Sequence, residues 1–352
     1  MRIGIPKEIK IREGRVSLTP FACSDLVSLG HEVFIEHSAG DMSGFSDVDY
    51  QTVGVTICAD AAELYASAEA IIKVKEPIEQ DLQHLREHHL LFSYLHLAPN
   101  PELTQRLNDI GLTAIAFETV ETDDGRLPLL APMSTIAGRL ATQIGATLLH
   151  VPQGGKGLLL GGLASTERGR VVVLGAGNAG GHALVVAARN GAEVTVFDLN
   201  PQKLAMLHDR YDNVTALIPT TRQLHQHIRE ADLLVGAVLM PGHRAPALVP
   251  EDWVAEMQPG SVIVDIAVDQ GGCIATTVPT DYNNPTYVKH DVVHFAVTNM
   301  PGAVPRSASQ ALSASLMPYV KLLAAGQLHS HTELARGINL EAGKVVHPAL
   351  LG

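Results

Sequence analysis

The chain has 352 residues, 46% hydrophobic, 18% charged and 4% aromatic, which is enough apolar material to bury one large core or two ordinary ones and excludes disorder and coiled coil. Lys plus Arg number 25 against 37 for Asp plus Glu, a formal charge of −12; that is the wrong sign for neutralising nucleic-acid phosphates, so small molecules rather than nucleic acid are the expected partners. Cys23, Cys58 and Cys273 are an odd number without metal-ligand spacing, so neither a disulfide framework nor a metal site is expected, and a reducing cytoplasm fits.

In chain order, MRIGIPKEIK lacks the apolar core and cleavage site of a secretory signal, so no export is expected. Short apolar runs follow at Arg2 to Ile5, Glu32 to Glu36, Ala70 to Val74, Leu90 to His96 and Thr113 to Phe117, read as buried strands separated by helical patterns. Thr19-Pro20 sets a capping hydroxyl before a proline at the first helical position, and Gly30 closes that helix. A helix is expected over Ser134 to Leu149, with Gly138, Ala141 and Gly145 on one face that could pack on a neighbouring copy. QGGKGLLLGG after it reads as a hairpin or structural turn, since it lacks phosphate-loop spacing.

A second strand series runs Val171 to Leu174, Glu193 to Phe197, Val214 to Ile218, Asp232 to Val238, Ser261 to Ala267 and Val293 to Thr298. Val171 to Ala188 has no charged residue, but its glycines make it a strand, a turn and a helix rather than a membrane span. The tail from Ser307 to Ala325 reads as one helix without strands of its own, returning to the first domain. The expectation is an α/β protein of two doubly wound parallel-sheet domains, the second a Rossmann domain. The expected domains are 1–129 with 307–352, a discontinuous substrate domain, and 130–306, which binds the dinucleotide.

Gly175, Gly177 and Gly180 stand in G-x-G-x-x-G spacing between a strand and a helix. The first permits a tight turn, the second lets the backbone approach a pyrophosphate, and the third lets helix and strand pack closely. Asp198 ends the next strand, where a carboxylate accepts hydrogen bonds from ribose hydroxyls and disfavours a 2′-phosphate, so NAD is expected over NADP. A glycine turn without nucleotide is the alternative.

In open α/β sheets ligands bind beyond the carboxyl ends of the strands. Lys75 there can grip a carboxylate or polarise a carbonyl, or else pair with Glu76. His96 ends LLFSYLH, and imidazole suits proton transfer near neutrality, although a satisfied core histidine would look the same. Arg15 can hold a carboxylate with its planar fork, or belong with Lys7, Lys10 and Arg12 to a basic surface loop. Asp269 and Asn299 follow later strands, and Asp269 heads a turn-like DQGG. His84, His88 and His89 read as a solvated helix face rather than a metal site.

With IIKVKEP, SYLHLA, AFETV, PLLAPMS, AGRLA, GAGNAG, GAVLMPG, VDIAVDQGGC, TNMPGAVP and ALSASLMPY in order from end to end, the chain resembles the bacterial alanine dehydrogenases, which share ancestry with the soluble NAD-binding part of proton-translocating transhydrogenases. The resemblance implies reversible NAD-dependent oxidative deamination of L-alanine to pyruvate and ammonium in an interdomain cleft, by a cytoplasmic homohexamer. It implies that Arg15 and Lys75 bind the substrate carboxylate and that His96 and Asp269 handle protons and orient the ammonium. For the cofactor it implies Ser134, Gly175, Gly177, Asn178, Ala179, Gly180, Asp198, Lys203, Thr220, Leu239, Met240, Ile266, Asp269, Asn299 and Met300. A transhydrogenase-type subunit is the nearest competitor, and that lineage lacks the histidine matching His96.

Overall fold

The computed structural model describes residues 1–238 and 247–351, without the side chains of Asp269 and Gln270. The chain divides into two compact units, Met1–Met133 with Gly302–Gly352, and Ser134–Pro301.

The first unit is built on an eight-stranded sheet. Its strands are β1 (Arg2–Ile5), β2 (Glu32–Glu36), β3 (Thr56–Cys58), β4 (Ala70–Ile72), β5 (Leu90–Ser93) and β6 (Thr113–Ala116), joined near the C-terminus by β14 (Ile338–Glu341) and β15 (Lys344–Val345). The order is β15-β14-β6-β5-β4-β1-β2-β3, with all pairs among β1 to β6 parallel. The chain winds outward from β1 in one direction through β2 and β3, then restarts at β4 on β1's other side, leaving a topological switch point between β1 and β4. Ile3, Ile5, Ile71 and Leu91 are fully buried, as parallel strands covered on both faces must be.

Two expectations fail at the unit's edges. The C-terminal segment does carry strands: β14 pairs antiparallel with β6 and with β15. These strands of four and two residues are too short to show a period in the sequence. Pro20 does open the first helix, Pro20–Ser28, but the Thr19 side chain does not cap it. Ser313, in the helix Pro305–Ala324, instead accepts the Thr19 N–H at 3.0 Å and lies 3.3 Å from its hydroxyl. Tertiary packing thus takes the hydroxyl that local geometry offered to the helix.

The second unit carries β7 (Arg170–Leu174), β8 (Glu193–Phe197), β9 (Val214–Leu217), β10 (Leu233–Gly236), β11 (Val262–Asp265), β12 (Thr286–Lys289) and β13 (Val292–Phe295). The order is β12-β13-β11-β10-β7-β8-β9. β7 to β11 and β13 form a parallel sheet with its switch point between β7 and β10, the arrangement of a dinucleotide-binding domain, and β12 adds an antiparallel edge. A core of Val172, Leu174, Leu234, Ile263 and Ile228 lies on one face.

The helix Ala131–Leu148 spends its small residues inside the chain rather than on a neighbouring copy. A Cβ on Gly138 would stand 2.0 Å from the Ala179 carbonyl oxygen, and one on Gly145 would strike Leu233 at 2.5 Å. Thr142 donates to the Ala183 carbonyl at 2.7 Å. The QGGKG segment is a turn, with Gly154 and Gly157 at positive φ and Lys156 bonded to Asp232 at 2.5 Å. No helix among the described residues is long and apolar enough to cross a membrane.

Candidate active site

In the first unit the candidate residues sit beyond the carboxyl ends of adjacent strands. Arg15, in the segment between β1 and its helix, is not on a basic surface loop: it is 2% exposed. Glu13 takes its Nε at 2.7 Å and its Nη2 at 2.5 Å, while Nη1 points to Met133 Sδ at 3.2 Å. Burial works against the guanidinium charge, and the Glu13 hydrogen bonds and charge outweigh it, so the pKa is raised. Ser309 anchors the loop by accepting the Val16 N–H at 2.9 Å.

β4 stops at Ile72 rather than at Val74: the Lys73 N–H still reaches the Phe92 carbonyl at 3.2 Å, but the N–H groups of Val74 and Lys75 turn toward Glu8. Glu8 Oε1 accepts the N–H groups of Val74 at 2.6 Å and Lys75 at 3.2 Å. Lys73 is buried between Glu8 and Asp81, 3.3 Å from each. Burial opposes its charge, yet the two carboxylates raise its pKa above the ordinary lysine value. Lys75 is half-buried. Glu76, the alternative partner expected for Lys75, forms its ion pair with Lys10 and lies within electrostatic reach of Lys75 as well.

β5 likewise ends at Ser93, three residues before His96, which adopts φ +48°, in the left-handed region outside extended pairing. Glu118, just past β6, accepts the His96 N–H at 2.6 Å and the Leu95 N–H at 3.1 Å. Its carboxylate also lies 3.9 Å from His96 Nδ1. The ring is not a core histidine, since its side chain is 45% exposed. It stacks with Tyr94 at 6.1 Å; the Tyr94 hydroxyl donates to the Leu129 carbonyl at 2.6 Å, and burial pushes its pKa up while Arg15 pulls it down. Arg15 is also within electrostatic reach of Glu8. Arg15 thus lies within electrostatic reach both of Glu8, which holds the Lys75 N–H, and of Tyr94, whose ring stacks with His96.

The second unit presents backbone instead. Gly175 (φ +94°) follows β7, and a Cβ there would approach the Ala237 carbonyl oxygen at 2.8 Å, at the switch point. A Cβ on Gly180 would lie 1.8 Å from the Gly175 carbonyl oxygen, whereas one on Gly177 would meet nothing within 4 Å. Gly177 is the N-cap of the helix Asn178–Arg189, so open space faces unpaired N–H groups, and Asn178 and Ala179 form the first turn. Asp198 Oδ2 accepts the Ala176 N–H at 2.6 Å and Oδ1 the Asn200 N–H at 2.8 Å. These residues fit a dinucleotide pyrophosphate and ribose.

The remaining cofactor candidates are more scattered. Ser134 lies in the first turn of its helix. Lys203 is exposed on the helix Pro201–His208, and Thr220 caps the helix Thr221–Glu230, accepting from Gln223 N at 3.3 Å. Ile266 opens the short 3-10 helix Ile266–Gln270. Asn299 has φ +61°, and the carbonyl of buried Met300 accepts from the Tyr282 hydroxyl at 2.9 Å. Leu239, Met240 and the Asp269 side chain lie outside the described residues.

Sequence reasoning passed over the buried carboxylates that hold these segments: Glu8, Glu13, Glu118 and, in the second unit, Asp265. Asp265 is fully buried and accepts from Ala267 N at 3.0 Å and Cys273 N at 3.1 Å, bracketing the backbone that carries Asp269. Burial raises its pKa against those bonds. The available signal was an acid beside apolar strand residues, as in VIVD and AFE. The histidine reading also needs correction. Residues 83–89 are not helical, and His89 is 2% exposed, because its two ring nitrogens bond the Tyr65 carbonyl and the Arg86 N–H, both at 2.9 Å.

Residues 4–137 match the family model "Alanine dehydrogenase/PNT, N-terminal domain" and residues 141–348 the corresponding C-terminal domain. An alanine dehydrogenase of Staphylococcus epidermidis is 47% identical over 100% of this chain and 92% of its own length. A solved L-alanine dehydrogenase superposes with TM-score 0.97 at 48% identity, covering 99% of this chain and 98% of the other. A transhydrogenase from Sinorhizobium meliloti superposes with TM-score 0.85 at 26% identity, covering 99% and 100%. On the two family matches and the full-length identity, the chain belongs to the alanine dehydrogenase/PNT family.

Proposed function

We propose that the chain is an NAD-dependent L-alanine dehydrogenase, interconverting L-alanine with pyruvate and ammonium. The observation that supports this reading is that Arg15, Lys75 and His96 follow the neighbouring strands β1, β4 and β5 in a chain that also holds an open glycine cradle. The full-length identity to alanine dehydrogenases supports the choice of substrate. A protein that only bound the dinucleotide would have no use for two cations and an exposed imidazole at these strand ends.

When bound, the nicotinamide exchanges a hydride with the α-carbon of the substrate. Arg15, its fork oriented by Glu13, and Lys75 fix the carboxylate, with Lys75 also beside the carbonyl oxygen; holding the reacting carbon in place supplies rate through orientation. His96 moves protons at the substrate oxygen and nitrogen as water and ammonia exchange, and Asp269 orients the ammonium. Ser134, Asn178, Ala179, Lys203, Thr220, Leu239, Met240, Ile266, Asn299 and Met300 complete the cofactor contacts. Asp198 favours NAD, since its carboxylate would repel a 2′-phosphate. A cytoplasmic homohexamer remains part of the proposal.

The test is NADH formation with a panel of L-amino acids, D-alanine and lactate at alkaline pH, and with NADP in place of NAD. Preferential turnover of L-alanine with NAD is expected, and higher pH favours oxidation because it releases protons. No turnover of any substrate while NADH binding is retained by fluorescence would overturn the reading in favour of a transhydrogenase-type subunit.

A further inference from the structure

We propose that Glu8 is a positioning residue that sets Lys75 for the substrate by gripping the backbone on which Lys75 is carried. This rests on reading Lys75 as the lysine that holds the substrate carboxylate. Past Ile72 the chain keeps two backbone bonds to the β5 side, the Lys73 N–H to the Phe92 carbonyl at 3.2 Å and the Tyr94 N–H to the Val74 carbonyl at 3.1 Å, but the N–H groups of Val74 and Lys75 need other acceptors. One oxygen of Glu8 takes two in succession, Val74 at 2.6 Å and Lys75 at 3.2 Å. The other faces the Lys73 ammonium at 3.3 Å, which Asp81 shares at 3.3 Å. Asp81 continues the hold downstream, accepting the Ile78 N–H at 2.9 Å and the Tyr65 hydroxyl at 2.9 Å. The segment 73–78 is thus tied at both ends, with Lys75 between.

The side chains of Lys73, Glu8 and Asp81 are 1%, 2% and 4% exposed. Apolar residues of the same shape generally serve stability as well as a buried ionic cluster does. What an apolar replacement cannot do is accept two backbone N–H groups and fix one geometry. The lysine at 73 neutralises the grip, while the lysine at 75 is displayed by it. Glu8 also lies within electrostatic reach of Arg15, so one carboxylate holds the backbone of one residue read as substrate-binding and acts on the charge of the other.

The experiment compares two double variants of the full chain, Glu8→Gln with Lys73→Met and Glu8→Leu with Lys73→Met. Both remove the Glu8–Lys73 ion pair; only the glutamine keeps an oxygen acceptor for Val74 and Lys75. Reductive amination of pyruvate gives kcat and KM, and fluorescence titration gives NADH affinity. The leucine variant is expected to lose about 100-fold in kcat/KM for pyruvate, the scale of a displacement of about 1 Å, with NADH affinity unchanged and the glutamine variant recovering most of the loss. Equal kcat/KM in the two variants, or NADH affinity falling together with that for pyruvate, overturns the proposal. Should neither fold, Glu8→Asp, whose shorter arm withdraws the acceptor, must lower kcat/KM for pyruvate with NADH affinity intact; an unchanged value overturns it. Lys75→Ala separates the two readings. If it leaves pyruvate turnover intact, the Lys75 assignment itself fails; if turnover collapses while the Glu8 variants stay equal, only the positioning role does.

Discussion

The two units wind their six parallel strands in the same order, yet they furnish their strand ends with opposite materials. The first uses buried charge: Arg15 on Glu13, Lys73 on Glu8 and Asp81, and the His96 backbone on Glu118. The second uses missing side chains, a glycine loop whose own peptides face open space, with Asp198 bracing it through the Ala176 N–H. The difference follows from the ligands proposed. A small carboxylate needs a few cations held in fixed directions, and a cation in a dry site needs a counter-charge. A pyrophosphate is long and doubly charged, and a row of N–H groups at a helix end suits it without lysine or arginine.

The largest expected effect separates chemistry from scaffold in the first unit. Asparagine tolerates positive φ but cannot exchange protons as imidazole does, so His96→Asn should lower turnover by about 10²–10⁴-fold. NADH affinity and melting temperature should hold, and normal turnover would remove His96 from the mechanism.

Next comes the contrast in what removing an acid costs. Glu13→Ala takes from a guanidinium that is 2% exposed the carboxylate that holds its Nε and Nη2 and should destabilise the protein by about 3–5 kcal/mol in denaturant titration. Asp198→Ala orphans chiefly the Ala176 N–H and should cost about 1–3 kcal/mol. Equal losses would break the distinction between a charge-built and a backbone-built site.

Within the glycine loop, Gly180→Ala must displace backbone to seat its methyl and should cost about 1–3 kcal/mol or more. Gly177→Ala has room and extended backbone (φ −73°), so it should melt like the parent and lose only dinucleotide affinity. If both merely destabilise, the space beside Gly177 is not the cofactor cradle.

The smallest effect is one the two units share. His89 and His294 are buried, and burial lowers the pKa of each. The Nδ1–H of His294 donates to the Val292 carbonyl at 2.9 Å and Nε2 shares a hydrogen bond with the Thr276 hydroxyl at 2.8 Å, so the neutral ring is satisfied at both nitrogens and burial disfavours a charge on it. Between the folded pKa and the unfolded value of about 6.5, the unfolded chain binds more protons. Stability is therefore complete above the unfolded value and falls as the solution is acidified through it, by at most about 1.4 kcal/mol per pH unit per ring. Denaturant midpoints between neutral pH and about pH 5.5 should show this slope, and His294→Gln should flatten its share.

What the sequence revealed follows the range of each interaction. The G-x-G-x-x-G loop, its strand and helix, and Asp198 are legible because every requirement lies within one short βαβ stretch. β12, β14 and β15 are not, since such short antiparallel strands at the margins of a sheet form only when a partner is already beside them. Lys75 and His96 were legible as positions past strands, whereas Glu8 and Glu118 were not: the peptides they hold lie 66 or 67 and 22 or 23 residues away in the chain.

The sequence by itself determined the α/β class, the family and the place of the dinucleotide loop, because these rest on periodicity and on glycines whose lack of a side chain is a local property. Only the tertiary structure decided which carboxylate serves which cation, that Ser313 takes the Thr19 hydroxyl, and that the small face of the helix Ala131–Leu148 is spent on Ala179 and Leu233. Those outcomes depend on which strand ends lie side by side. Hydrogen bonds and ion pairs act over a few ångströms of space and take no account of distance along the chain.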